Sequence, residues 1–168
     1  MQTIYVDADA CPVKDEIYKV AQRYDWNVRV VSNMNISIPA SPLIENVVVK
    51  TGFNSADDWI AEHAAAGDIV VTEDIPLAQR CLENDAQVIG TRGRVFTESA
   101  MGEAMASREL LAQLREVGLH SGGPSPFRDQ DRSKFLQRLD QTIHEVKKQI
   151  RRIQNRAKHQ TPPPNTTE

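Results

Sequence analysis

The segment IYVDADACPVK ends an apolar, β-branched run in two carboxylates, Asp7 and Asp9, separated by one alanine. Strand interiors disfavour Asp, and like charges this close repel each other. A hard cation explains the pair. Mg²⁺ or Mn²⁺ is typically held by one or two carboxylates, with waters and substrate phosphates completing its shell. Capping of the helix that Pro12 should open accounts for Asp9 but leaves Asp7 without a role. A second acidic group, Thr72-Glu73-Asp74, closes the later run DIVV. There the Thr72 hydroxyl can orient a water or a carboxylate, and Asp74 can cap the next helix. Asp7, Asp9, Asp74 and Thr72 are therefore the candidate catalytic residues, the three acids doubling as metal ligands. Asp57 and Asp58 fall in the first turn of a helix, where the dipole favours negative charge. One of them, taken as Asp58, completes the expected ring of carboxylates, with Asn54 and Ser55 as nearby polar groups for a substrate. Thr91-Arg92-Gly93-Arg94 offers guanidinium forks and open backbone N–H groups to a phosphate, with Lys14 as a further cation. A solvated basic loop is the plain alternative.

The elements that must position these residues alternate. Strands are expected at residues 3–7, 27–32, 46–50, 68–74 and 86–90, from their apolar and β-branched content. Helices are expected at 12–24, from Ser55 as N-cap with Asp58 closing a shortened capping box to a stop at Gly67, at 75–84, at 99–117 and at 129–158. Residues 33–42 read as a loop broken by Pro39 and Pro42, and residues 120–127 as a Gly/Pro-rich connector. Strand–helix alternation implies a parallel sheet with right-handed crossovers. The expected fold class is three-layer α/β/α with about five mostly parallel strands and a C-terminal helix. In a 3-2-1-4-5 order the chain reverses between strands one and four, and open sheets bind ligands at such a switch point. Those two strands are the ones that end in Asp7/Asp9 and Glu73/Asp74.

At 168 residues, 40% apolar and 26% charged, the chain reads as one soluble domain over 1–158, followed by a disordered, Pro-rich tail at 159–168. No apolar run approaches the roughly 20 residues needed to span a bilayer, and no secretory leader precedes the first strand. Cys11 and Cys81 form neither a disulfide framework nor a zinc site, so a cytoplasmic setting is expected. The charge is uneven. Residues 1–127 carry 10 Lys and Arg against 18 Asp and Glu, whereas residues 128–158 carry 10 basic against 4 acidic groups. The basic C-terminal helix at 128–158 could lie along a nucleic-acid backbone, dock on the acidic body, or bind a partner.

The motifs YVDADACPVK, GFNSADDWI, DIVVTEDIPLA, TRGR and GGPSPFRDQDRSKFLQRLD, in this order, resemble the YaiI/YqxD family of uncharacterised bacterial proteins, from Ile4 to about Leu139. That family has no established activity and is grouped by fold with the PIN-like domains, many of which are metal-dependent ribonucleases. The resemblance implies that Asp7 is similar to the first strand-end carboxylate of the PIN pattern, with Asp9 an addition. Asp57 or Asp58 stands where Glu is common, and Thr72-Glu73-Asp74 is similar to a Thr/Ser-x-Asp element. The last acid of that pattern has no clear counterpart, Glu98 being the nearest after TRGR. The leading expectation is a Mg²⁺- or Mn²⁺-dependent phosphodiester hydrolase acting on RNA. One alternative is a haloacid-dehalogenase-like phosphatase with Asp7 as nucleophile and Asp9 as proton donor. Against it, the paired acids come early and no well-placed Lys follows Thr72. The other alternative is a non-catalytic module that binds RNA or a protein through the basic helix.

Overall fold

The computed structural model describes residues 1–9, 11–50, 52, 54–118 and 125–159, the side chain of Ala104 excepted. Most of the expected connector, residues 120–124, and of the expected disordered tail, residues 160–168, lies outside them; His159 ends the last helix.

Five short apolar runs form parallel strands: β1 (Thr3–Asp7), β2 (Asn27–Ser32), β3 (Ile44–Val48), β4 (Ile69–Val71) and β5 (Gln87–Ile89). Between and after them run α1 (Lys14–Tyr24), α2 (Ser55–His63), α3 (Ile75–Glu83), α4 (Glu98–Glu116) and α5 (Asp129–His159). A sixth strand, β6 (Val95–Phe96), pairs antiparallel with β5. The sheet order is β3-β2-β1-β4-β5-β6. The expected five-strand order is present, with one short strand added at the edge. β6 was not anticipated because the TRGR segment reads as open loop. It closes instead into a tight hairpin, with Gly90 N donating to Arg94 O at 2.8 Å and Gly93 N to Gly90 O at 3.0 Å.

Alternate side chains of the strands feed two cores. Ile4, Val6, Val28, Val30, Ile69, Val71 and Ile89 face α1 and α5. Tyr5, Val70 and Val88 face α2, α3 and the start of α4. The result is the three-layer α/β/α arrangement. Boundaries shift by a few residues from the expected ones. β3 starts two residues earlier, and α1 begins at Lys14 rather than Pro12, with Val13 at its N-cap and no side-chain cap. α2 follows Asn54, in the left-handed region at φ 62°, rather than Ser55, and it ends at His63, before Gly67. Among the described residues no helix is long and apolar enough to cross a membrane.

α5 closes the α1 side. Phe135, Leu139, Ile143 and Val146 are fully buried along one stripe. Arg92 donates to Asp131 Oδ2 at 2.9 Å, Arg132 to Pro12 O at 2.6 Å, and the two guanidiniums flank the Phe127 ring at 5.5 and 5.1 Å. Gly93 makes the approach possible. Its φ is 82°, and a Cβ there would lie 2.8 Å from Lys134 O. Gly93→Ala is expected to destabilise the protein by about 2–4 kcal/mol, combining a left-handed backbone penalty with overpacking. Urea unfolding measures it, and a midpoint equal to wild type would mean that α5 does not seat on this turn.

Candidate active site

In β1 and β4 the register Val6↔Val71 sets Asp7, the last residue of β1, beside Thr72, the first residue after β4. The Thr72 hydroxyl donates to Asp7 Oδ2 at 2.8 Å and accepts from Asp74 N at 3.0 Å. Thr72 itself is buried. The tips of the two strands are thus joined by a side-chain hydrogen bond that fixes Asp7 and the turn carrying Asp74. Asp74 Oδ1 accepts from Leu77 N at 2.8 Å and so caps α3, leaving its second oxygen for the cleft. Glu73 lies across the end of β5, where its Oε1 accepts from the Thr91 amide and from the Thr91 hydroxyl at 2.8 Å. Gly90 makes room for it: a Cβ there would sit 2.7 Å from Glu73 Oε1. Asp7, Asp9, Cys11, Thr72, Glu73, Asp74 and Thr91 line a cleft of about 360 Å³ at the carboxyl ends of the strands.

Electrostatics mark Asp7. Burial pushes its carboxyl up to about 6, the Thr72 hydrogen bond opposes this, and Asp57, Asp9 and Asp74 add to the rise. Asp57 is also raised, by burial first and then by Asp74, with Arg80 pulling the other way. Asp57 is thus the acid of α2 that couples to the cleft carboxylates, without itself lining the cleft. Asp58, expected in the ring, turns outward, and its Oδ1 accepts from Arg80 at 2.7 Å. Cys11 is buried, and that burial raises its thiol to about 11, which keeps it neutral and a poor metal ligand.

The cations divide. Arg92, expected at a phosphate, is tied to Asp131 and to Ser125 O, and Gly93 packs on α5 rather than presenting an open nest. Arg94 is exposed, over the Phe96 ring at 4.9 Å, and Lys14 donates to Cys11 O at 3.1 Å beside the cleft. Neither makes an ion pair among the described residues. Asn54 is exposed, and the Ser55 hydroxyl lies 3.1 Å from Asn33 Oδ1 and from Gly52 O; neither lines the cleft.

Among the described residues no three His, Cys, Asp or Glu stand together as a ready-made metal shell. The donors at the cleft are carboxylate oxygens, led by Asp7 and Asp74. That set fits a hard cation carrying much of its own water, the mode Mg²⁺ adopts, and does not fit a metal needing three or four protein ligands.

A family model described as "Uncharacterized BCR, YaiI/YqxD family" matches residues 5–145. The chain is 53% identical over 150 residues to a UPF0178 protein of Bradyrhizobium diazoefficiens, covering 89% of each chain. It is 50% identical over 151 residues to a UPF0178 protein of a Caulobacter strain, covering 90% of this chain and all of the relative. A UPF0178 protein of Rhodospirillum rubrum is 49% identical over 146 residues, covering 86% of this chain and 97% of the relative. No solved structure matches the chain significantly.

Because the Asp7 carboxyl is raised in the folded state, native protein holds more protons than unfolded chain between the ordinary value of 3.8 and about 6. Stability then falls as pH rises through that window and stays lower above it. Asp7→Asn removes the penalty. The variant is expected to be more stable than wild type at pH 7.5, by at most about 3 kcal/mol, and equal to it near pH 3.5. Thermal melts at both pH values decide it, and a variant less stable at pH 7.5 would contradict the buried, repelled carboxylate.

Proposed function

The chain belongs to the YaiI/YqxD family of uncharacterised bacterial proteins, and from its own cleft we propose a metal-dependent phosphodiester hydrolase, acting on RNA in a reducing cytoplasm. The observation that carries the reading is Asp7. It is a half-buried carboxylate at the switch point of a parallel sheet, fixed by Thr72 and crowded by other acids. A structural role does not call for such a group, because a buried carboxylate among like charges weakens the fold. A divalent cation reverses that balance by favouring the charged form.

Asp7 and Asp74 would hold Mg²⁺ or Mn²⁺ with much of its own water, and Asp9 and Asp57, the latter in the place first given to Asp58, would add negative charge nearby. Bound there, the cation supplies a water of lowered pKa and polarises the phosphoryl oxygens. Thr72 keeps Asp7 in one rotamer, and the Leu77 amide does the same for Asp74. Glu73, pinned to Thr91, forms the opposite wall. Lys14 and Arg94, which make no ion pair among the described residues, would be free to meet a substrate phosphate, a role that Arg92 is too engaged to fill. Cys11 and Cys81, both free and buried, suit the reducing setting. The phosphatase alternative gains nothing from the cleft, whose lining carries no lysine.

Calorimetric titration with Mn²⁺ tests this. Wild type is expected to bind, and Asp7→Asn to lose tenfold or more, since losing even an outer-shell partner of a ligand typically costs about that much. RNA cleavage should require the metal and vanish in Asp7→Asn and Asp74→Asn. Equal Mn²⁺ binding by wild type and Asp7→Asn ends the proposal. Trapping of beryllofluoride on Asp7 would instead assign the phosphatase.

A further inference from the structure

α5 is about 46 Å long at 1.5 Å per residue, longer than the body it packs on. It begins at the cleft end, where Arg132 touches Pro12 O and Glu16. It then runs toward the amino ends of the strands, where Ile150 packs near Gly67, just ahead of β4. The last buried residue is Val146, and residues 151–159 are all exposed. From residue 146 to residue 159 the chain carries six Lys and Arg and no Asp or Glu.

What sets these six apart is the lack of any acid on their own stretch, for the docked half interleaves its cations with Asp129, Asp131, Asp140 and Glu145. There Arg132 pairs with Glu16, and Asp131 takes Arg92 from the β5–β6 turn. Lys148, Arg151, Arg152, Arg156 and Lys158 make no ion pair among the described residues, and Lys147 sits over the Tyr24 ring at 4.6 Å. At 3.6 residues per turn all six fall on one half of the helix circumference, and Ile150 and Ile153 fall on the other. Lys147, Lys148, Arg151 and Arg152 also line, with His144 and Asn155, a shallow concavity of about 570 Å³.

We propose that this strip, residues 147–158 of α5, is a docking surface for the phosphodiester backbone of nucleic acid, separate from the acidic cleft. A row of unpaired cations on a rigid rod is what neutralises a phosphate array and releases its counterions. Other occupants lack what they need. Insertion into a lipid surface takes a broad apolar face, and a protein groove takes apolar anchors at i, i+3, i+4 and i+7. The free segment offers Ile153 as its one large apolar side chain. It has no aromatic residue to stack on a base, so recognition is of backbone and not of sequence. The 18 residues from Arg132 to Ile150 rise about 27 Å, which puts strip and cleft at opposite ends of the molecule. The inference thus stands without the hydrolase reading.

The test is fluorescence anisotropy on the full chain with a labelled RNA duplex of about 20 base pairs, over roughly 50 to 200 mM salt. The variant is Lys148→Gln/Arg151→Gln/Arg152→Gln, three exposed positions without ion-pair partners. Its melting temperature and its Mn²⁺ titration should match wild type. The expected result is an affinity loss on the order of tenfold or more, with the log–log salt slope shallower by roughly 3. A DNA duplex should behave alike, as backbone contact requires. Unchanged affinity and slope in the variant overturn the proposal, as does wild-type binding to phosphatidylserine vesicles in preference to either duplex.

Discussion

Much of this molecule follows from how β1 is flanked. It pairs in parallel with β2 on one side and β4 on the other, and its last residue lies beside the first residue after β4. Right-handed crossovers place α1 and α3 on opposite faces of the sheet, so the turns leading into them part at this point and open a cleft. The Asp7–Thr72 hydrogen bond is the side-chain expression of that geometry. It sets the orientation of the most perturbed carboxyl in the cleft, and through the Asp74 amide it also sets the turn that starts α3.

The two faces then serve different ends. α2 and α3 bring Asp57 and the cap residue Asp74 to the cleft, and the Asp58–Arg80 pair ties the two helices together. The opposite face is sealed by α1 and α5, whose contact combines a buried apolar stripe with the Arg132–Glu16 pair. The β5–β6 turn joins both parts of the story. Gly90 admits Glu73 to one side of it, and Gly93 admits the α5 backbone to the other. Arg-Gly-Arg is chemically ambiguous, as apt for a phosphate as for a plain basic loop. For Arg92 the engagement is with Asp131, 39 residues away, which no local pattern reveals.

The strand order, the cleft and its principal acids were legible because each rests on a strong local signal. Apolar runs of five or so residues alternated with helical periods, and carboxylates sat where strands had to end. Thr72 was legible for its hydroxyl but not for its partner. Asp58 was the wrong choice of cleft-facing neighbour, and helical phase held the answer. Asp57 shares a stripe with the buried Ile60, Ala61 and Ala64, whereas Asp58 stands one turn before the exposed Glu62. Ser55 failed as a cap because Asn54 takes the left-handed conformation that begins α2. The edge strand β6 has two residues, too few for any period to show.

Charge separation along α5 bears on how the cleft can be neutralised. The basic strip and the acidic cluster lie several Debye lengths apart at physiological ionic strength, about 8 Å each. Six cations at that distance do nothing for the mutual repulsion of Asp7, Asp9, Asp57 and Asp74. Relief has to be local. Lys14, a cation without an ion pair among the described residues, stands beside the cleft, and its ammonium donates to Cys11 O. The remaining routes are protonation of Asp7, which its raised pKa records, and capture of a cation from solution. In a cell near neutral pH the first is weak, since a carboxyl titrating at about 6 is mostly charged there. Under the proposed metal reading the second route would supply that relief, and metal binding and stability should then move together at this one side chain.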